Sequence, residues 1–113
     1  MCCVKYCSIH GGYLAEFASL EEEKSVDTFL NQDVLYWIGL SDSAEEGTWI
    51  WQRSQETPDY LNWAGSQPND GSSANCGMKT WYHNVGGKWY DQPCASNFGG
   101  GHGPIHALCQ LKK

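Results

Sequence analysis

The 113-residue sequence predicts a mixed α/β (α+β) fold with one or two helices near its start, short strands after them and a long polar loop between strands. Three observations predict it. Residues 20–31 carry the cap and the apolar spacing of a helix. The pattern then switches to short β segments separated by turns. Six cysteines in so short a chain describe a disulfide framework, which belongs to an oxidising compartment. The length allows a single domain, residues 1–113, with a small core. Six Trp, six Tyr and three Phe supply apolar area for that core despite the negative mean hydropathy.

The elements follow in chain order. Residues 1–12, MCCVKYCSIHGG, place Cys3 and Cys7 four apart, on one face of a short helix that Gly11-Gly12 would stop. Tyr13–Phe17 alternates as a brief strand. Ser19 followed three residues later by Glu22 is a capping box. Glu21, Glu22 and Glu23 suit the positive end of a helix and are read as a solvated first turn. Val26, Phe29 and Leu30 recur at spacings of 3 and 4 and give the helix its apolar face. Strands are expected at Tyr36–Leu40, Trp49–Gln52, Cys76–Thr80, Lys88–Tyr90 and Ile105–Leu111. Between residues 53 and 75 Pro, Gly, Ser, Asp and Asn dominate, and ordering so long a loop calls for a clamp such as a disulfide or an ion. Residues 95–104 form a second, glycine-rich loop.

The formal net charge of −6 disfavours nucleic acid, which needs clustered Lys and Arg, and equally an anionic membrane surface. No apolar run approaches the length of a membrane span. No basic segment followed by an apolar one opens the chain, so a secretory leader is expected to have been removed ahead of Met1. Catalytic motifs of the GxSxG, HExxH and phosphate-loop kinds are absent, and Asp70 with Asp91 reads as ion or polar binding rather than a glycosidase pair; no enzymatic activity is expected. His102 and His106, with His83 nearby, could share a zinc ion, but Pro104 prevents a regular helix there and a metal-free pair is the expectation.

The order of landmarks carries a resemblance. Cys7-x3-GGYLAEF leads to a capped helix, then Trp37-Ile38-Gly39-Leu40. Asp42-x3-Glu46-Gly47-x-Trp49-x-Trp51 follows, then Asn62-Trp63, Gln67-Pro68-Asn69-Asp70, Cys76, Trp89-Tyr90-Asp91, Cys94 and Cys109. Over residues 7–111 the chain resembles a C-type lectin-like domain. The resemblance implies curled antiparallel sheets and the pairings Cys7–Cys109 and Cys76–Cys94. Two departures stand out. Only six residues precede Cys7, so the fold looks truncated at its N-terminus, and 14 residues separate Cys94 from Cys109, the surplus being the glycine-rich stretch 97–103. Cys2 and Cys3 are left over, for a vicinal bridge or for a disulfide-linked dimer.

In family members that bind sugar, a calcium ion sits beside a cis proline and the sugar hydroxyls bind the ion. On this sequence Gln67, Asn69 and Asp91 match those positions, whereas Ala74 and Tyr90 fall where a carboxylate and an asparagine are expected. Calcium takes six to eight oxygens and its affinity follows ligand charge, so calcium at the sugar site is expected to be weak or absent. A second calcium position maps to Asp42, Glu46, Asp70 and Asn75. Exposed aromatic candidates for stacking on sugar are Trp81, Tyr82 and Tyr90, while Trp37, Trp49, Trp51 and Trp63 read as core. The resemblance thus implies a secreted, extracellular carbohydrate-binding lectin for microbial or other foreign glycans. The rival reading is a domain of the same fold that binds a protein or matrix partner and no sugar.

Overall fold

The computed structural model describes residues 7–9, 11–65, 67–68, 74–82, 86–94 and 105–111. Residues 7–9 are helical. After them come β1 (Gly12–Leu14), α1 (Leu20–Asp27), β2 (Leu35–Ser41), β3 (Ile50–Trp51), β4 (Cys76–Lys79), β5 (Trp89–Gln92), β6 (Ile105–Ala107) and β7 (Cys109–Leu111). β1 and β7 form a two-stranded antiparallel sheet, and the second sheet runs β3-β2-β4-β5 with β6 also on β2. The neighbours β3, β4 and β5 pair antiparallel, but β6 lies parallel to β2, with Tyr36 opposite His106. The antiparallel sheets that the resemblance implies are present, with this one parallel pairing added. The single strand expected over 105–111 divides at Leu108, whose amide donates to Trp37 O at 3.1 Å, so one half serves each sheet.

Alternation along β2 divides the core. Leu35 and Trp37 face a cluster with Cys7, Leu14, Cys76, Met78 and Ile105; Ile38 and Leu40 face Ala15, Phe17, Trp51 and Trp89. Gly39 sits where β2 passes the end of β1: its amide donates to Ala15 O at 2.8 Å, and a Cβ there would lie 2.8 Å from Leu14 O. Only glycine fits that crossing. Trp37 and Trp51 are buried as expected, while Trp49 and Trp63 are half-buried against the second cluster, their rings edge to face at 4.8 Å.

Two disulfides close the ends, Cys7–Cys109 and Cys76–Cys94, in the pairing that the family resemblance implies. Cys2 and Cys3 lie outside the described residues.

The helix differs from its expected form. Ser19 is the N-cap and its hydroxyl accepts from Glu22 N at 3.1 Å, but α1 stops at Asp27 with Thr28 as C-cap. Phe29, expected on the buried face, is 88% exposed, whereas Glu23, expected in a solvated turn, is 1% exposed. The apolar stripe is corrected at Phe29: Val26 packs on the second core cluster as expected, and α1 is also held to the sheets by a carboxylate, because Glu23 faces a buried cation and three neutral donors.

Candidate functional site

Four elements meet at Glu23. Its Oε1 accepts from Tyr60 Oη at 2.6 Å and from Asn62 Nδ2 at 2.9 Å. Its Oε2 accepts from Trp89 Nε1 at 2.8 Å and forms an ion pair with Lys79 Nζ. Lys79, fully buried on β4, also donates to Gly87 O at 2.5 Å and forms a second ion pair with Asp27 Oδ1 at 2.9 Å. Burial leaves the Asp27 carboxyl above its ordinary value, more than Lys79 lowers it. Tyr60 is likewise raised, by desolvation and then by the Glu23 carboxylate.

From this hub the long loop runs along β5. Trp89 N donates to Asn62 O at 2.9 Å and Ala64 N to Trp89 O at 2.9 Å. Gln67 N then donates to Ala64 O at 3.0 Å, and the Gln67–Pro68 peptide is cis. Gln67 Oε1 accepts from Asp91 N at 3.2 Å, which fastens the turn to the strand. Among the expected sugar-binding residues, Gln67 and Asp91 are thus brought together; Asn69 lies outside the described residues.

The aromatic candidates are placed differently from expectation. Tyr90 packs against the first core cluster, on the face of β5 away from buried Trp89 and Asp91, because successive side chains alternate. Tyr82 packs against the same cluster and its hydroxyl donates to Asp33 O at 2.8 Å. Trp81 is half-buried, with Lys79 Nζ 4.9 Å from its ring centre. The reading of Tyr82 and Tyr90 as exposed stacking surfaces is corrected, since both contribute to packing.

Asp42 is 2% exposed; its Oδ2 accepts from Gly47 N at 2.9 Å and its amide donates to Asn75 O at 3.1 Å. Its Oδ1 is buried and accepts no hydrogen bond. The Glu46 carboxyl is raised, first by desolvation and then by its hydrogen bond to Asp42 and by the charges of Asp42 and Asp91. Asp42 and Glu46 therefore lie close together, Asn75 O accepts from the Asp42 amide, and Asp70 is outside the described residues. An unsatisfied buried carboxylate oxygen beside a second acid fits a hard cation in part. The cis-proline position does not fit one: Ala74 is 1% exposed and offers no side-chain oxygen, and Tyr90 turns into the core. Among the described residues no group of three or more His, Cys, Asp or Glu is arranged to hold a metal, and zinc finds no support. His106 lies exposed on β6, while His83 and His102 are outside the described residues.

A C-type lectin domain model, "Lectin C-type domain", matches residues 2–99. The chain belongs to the C-type lectin domain family. This is a family of carbohydrate-recognition domains without enzymatic activity. The chain is 32% identical over 94 residues to a perlucin-like protein of Mytilus galloprovincialis, covering 80% of this chain and 59% of that one. It spans less than two thirds of the length of such curated relatives. Among solved structures, the cow C-type carbohydrate-recognition domain of CD23, determined in the presence of a GlcNAc2Man3 oligosaccharide, superposes with a TM-score of 0.72 at 34% identity, covering 83% of this chain and 69% of that one. A calcium-independent type II antifreeze protein superposes with a TM-score of 0.71 at 32% identity, covering 82% and 68%. No helix among the described residues is long and apolar enough to cross a membrane.

Proposed function

We propose that this domain is a secreted carbohydrate-binding module whose recognition face is the cis Gln67–Pro68 turn on β5, with Gln67, Asn69 and Asp91 supplying hydrogen-bond groups and Trp81 an aromatic edge. The observation that carries the reading is the Gln67 side chain held on the Asp91 amide. Calcium dependence at the sugar is weak or absent, since Ala74 and Tyr90 add no ligand; any calcium sits at Asp42 and Glu46, with Asp70 and Asn75. Microbial or other foreign glycans are the proposed targets. A glycan array with wild type and Asn69→Ala tests this. Signals on a family of related glycans that Asn69→Ala weakens support it.

The incomplete cation cage and the likeness to a calcium-independent antifreeze protein favour a second reading, a protein- or matrix-binding domain without a sugar ligand. An array with no signal for wild type selects it. Cys2 or Cys3 is proposed to link two copies; a non-reducing gel showing only monomer overturns that link.

A further inference from the structure

Strand β4 reads Cys76-Gly77-Met78-Lys79, and its last residue is a fully buried lysine. A lysine is rarely placed there without a task, because desolvating an ammonium is costly unless its donors are met. Here the ammonium hydrogen-bonds to Glu23 and to Gly87 O and forms a second ion pair with Asp27. Each partner belongs to a different structural need. Glu23 carries the hydroxyl of Tyr60 and the amide of Asn62, both from the long loop. Asp27 ends α1. Gly87, in the left-handed region at φ 86° and packed on Trp81, belongs to the β4–β5 connection.

We infer that Lys79 is a positioning residue of the recognition face, an internal cation that orders the stem of the long loop in place of a metal ion. The path is continuous. Lys79 fixes the Glu23 carboxylate, and Glu23 fixes Asn62. The Asn62 carbonyl and the Ala64 amide then dock on Trp89, and Ala64 O and Asp91 N hold Gln67. A loop that long needs a clamp, and this clamp is covalently part of the chain, so a chelator cannot remove it. The inference concerns the order of the loop stem and rests on the proposed carbohydrate reading only for its consequence in binding.

Amide hydrogen exchange in EDTA tests it without any ligand. The reporters are the amides of Ala64, Gln67 and Asp91, each with a defined acceptor; the controls are the amides of Ala15 and Gly39, bonded to Leu108 O and Ala15 O. In wild type the three reporters are expected to stay protected in EDTA. Lys79→Met is expected to speed their exchange at least ten times more than that of the controls. A smaller differential, or loss of wild-type protection in EDTA, overturns the inference. Should Lys79→Met fail to fold, Glu23→Leu/Lys79→Met removes both charges while keeping apolar volume, and the same tenfold criterion applies to it. Glycan binding measured on the same variants is read separately. Faster loop exchange with an array silent for wild type leaves the positioning role standing and removes the carbohydrate reading.

Discussion

Glu23→Ala tests the hub most severely. The substitution leaves the Lys79 ammonium, fully buried, with only Asp27 and one carbonyl, and it removes the acceptor of Trp89 Nε1, also fully buried. Breaking a buried ion pair by deleting one partner costs about 3–5 kcal/mol. An orphaned buried indole N–H adds about 1 kcal/mol. Tyr60 and Asn62 are half-buried and can turn to water, so they add little. The sum, about 4–6 kcal/mol, approaches the whole stability of an ordinary domain, about 5–15 kcal/mol. At this chain length a kcal/mol shifts Tm by about 4 °C, so a fall of about 16–24 °C is expected by circular dichroism. Glu23→Gln keeps an oxygen for Tyr60 and Asn62 and should fall less. A Glu23→Ala protein melting within about 5 °C of wild type would refute the reasoning, because the pair would then contribute no more than a surface bridge.

Three other outcomes follow from the same structure. An acid whose folded pKa is raised holds its proton more tightly when folded, so its contribution is greatest below the unfolded value and is lost as pH rises through the raised one. Asp27→Asn should therefore gain stability relative to wild type between pH 3 and pH 7, and melts across that range showing the opposite trend would count against the desolvated carboxyl. Removing Cys7–Cys109, which spans 102 residues, should cost about 5 kcal/mol, against about 3 kcal/mol for Cys76–Cys94, which spans 18; urea titration of the paired alanine variants compares them. Gly39→Ala should cost about 1–3 kcal/mol in the same titration, because its methyl must push Leu14 O and Ala15 O away from β2.

Local signals in the sequence marked the elements well where each acted alone. The Ser19 cap, the β2 segment and the β4 start all stand within a residue of their expected places. The pairing of cysteines needed the family resemblance, since no spacing rule selects one pairing from six thiols. Glu23 reads as solvated because its charge is taken as exposure, and Lys79 carries no expectation of its own. The signal was nonetheless present: Glu23 shares the 3-and-4-spaced stripe of Val26 and Leu30, and Lys79 ends a strand of otherwise buried residues. The parallel β2–β6 pairing depends on how a distant segment returns, which local periodicity does not encode. The grouping of Asp42, Glu46 and Asn75 comes from the resemblance alone, whereas the inward turn of Tyr90 follows from strand alternation at β5, which starts one residue and ends two residues later than expected.

The measurement closest to the centre is a binding titration of the strongest array glycan in calcium and in EDTA, on wild type and Lys79→Met. Affinity for wild type is expected to survive chelation within about tenfold, since the Glu23–Lys79 clamp orders the loop, and to drop for Lys79→Met in both buffers. Complete loss of wild-type binding in EDTA, with Lys79→Met unchanged in calcium, would show that a bound ion orders the face and that the internal cation does not.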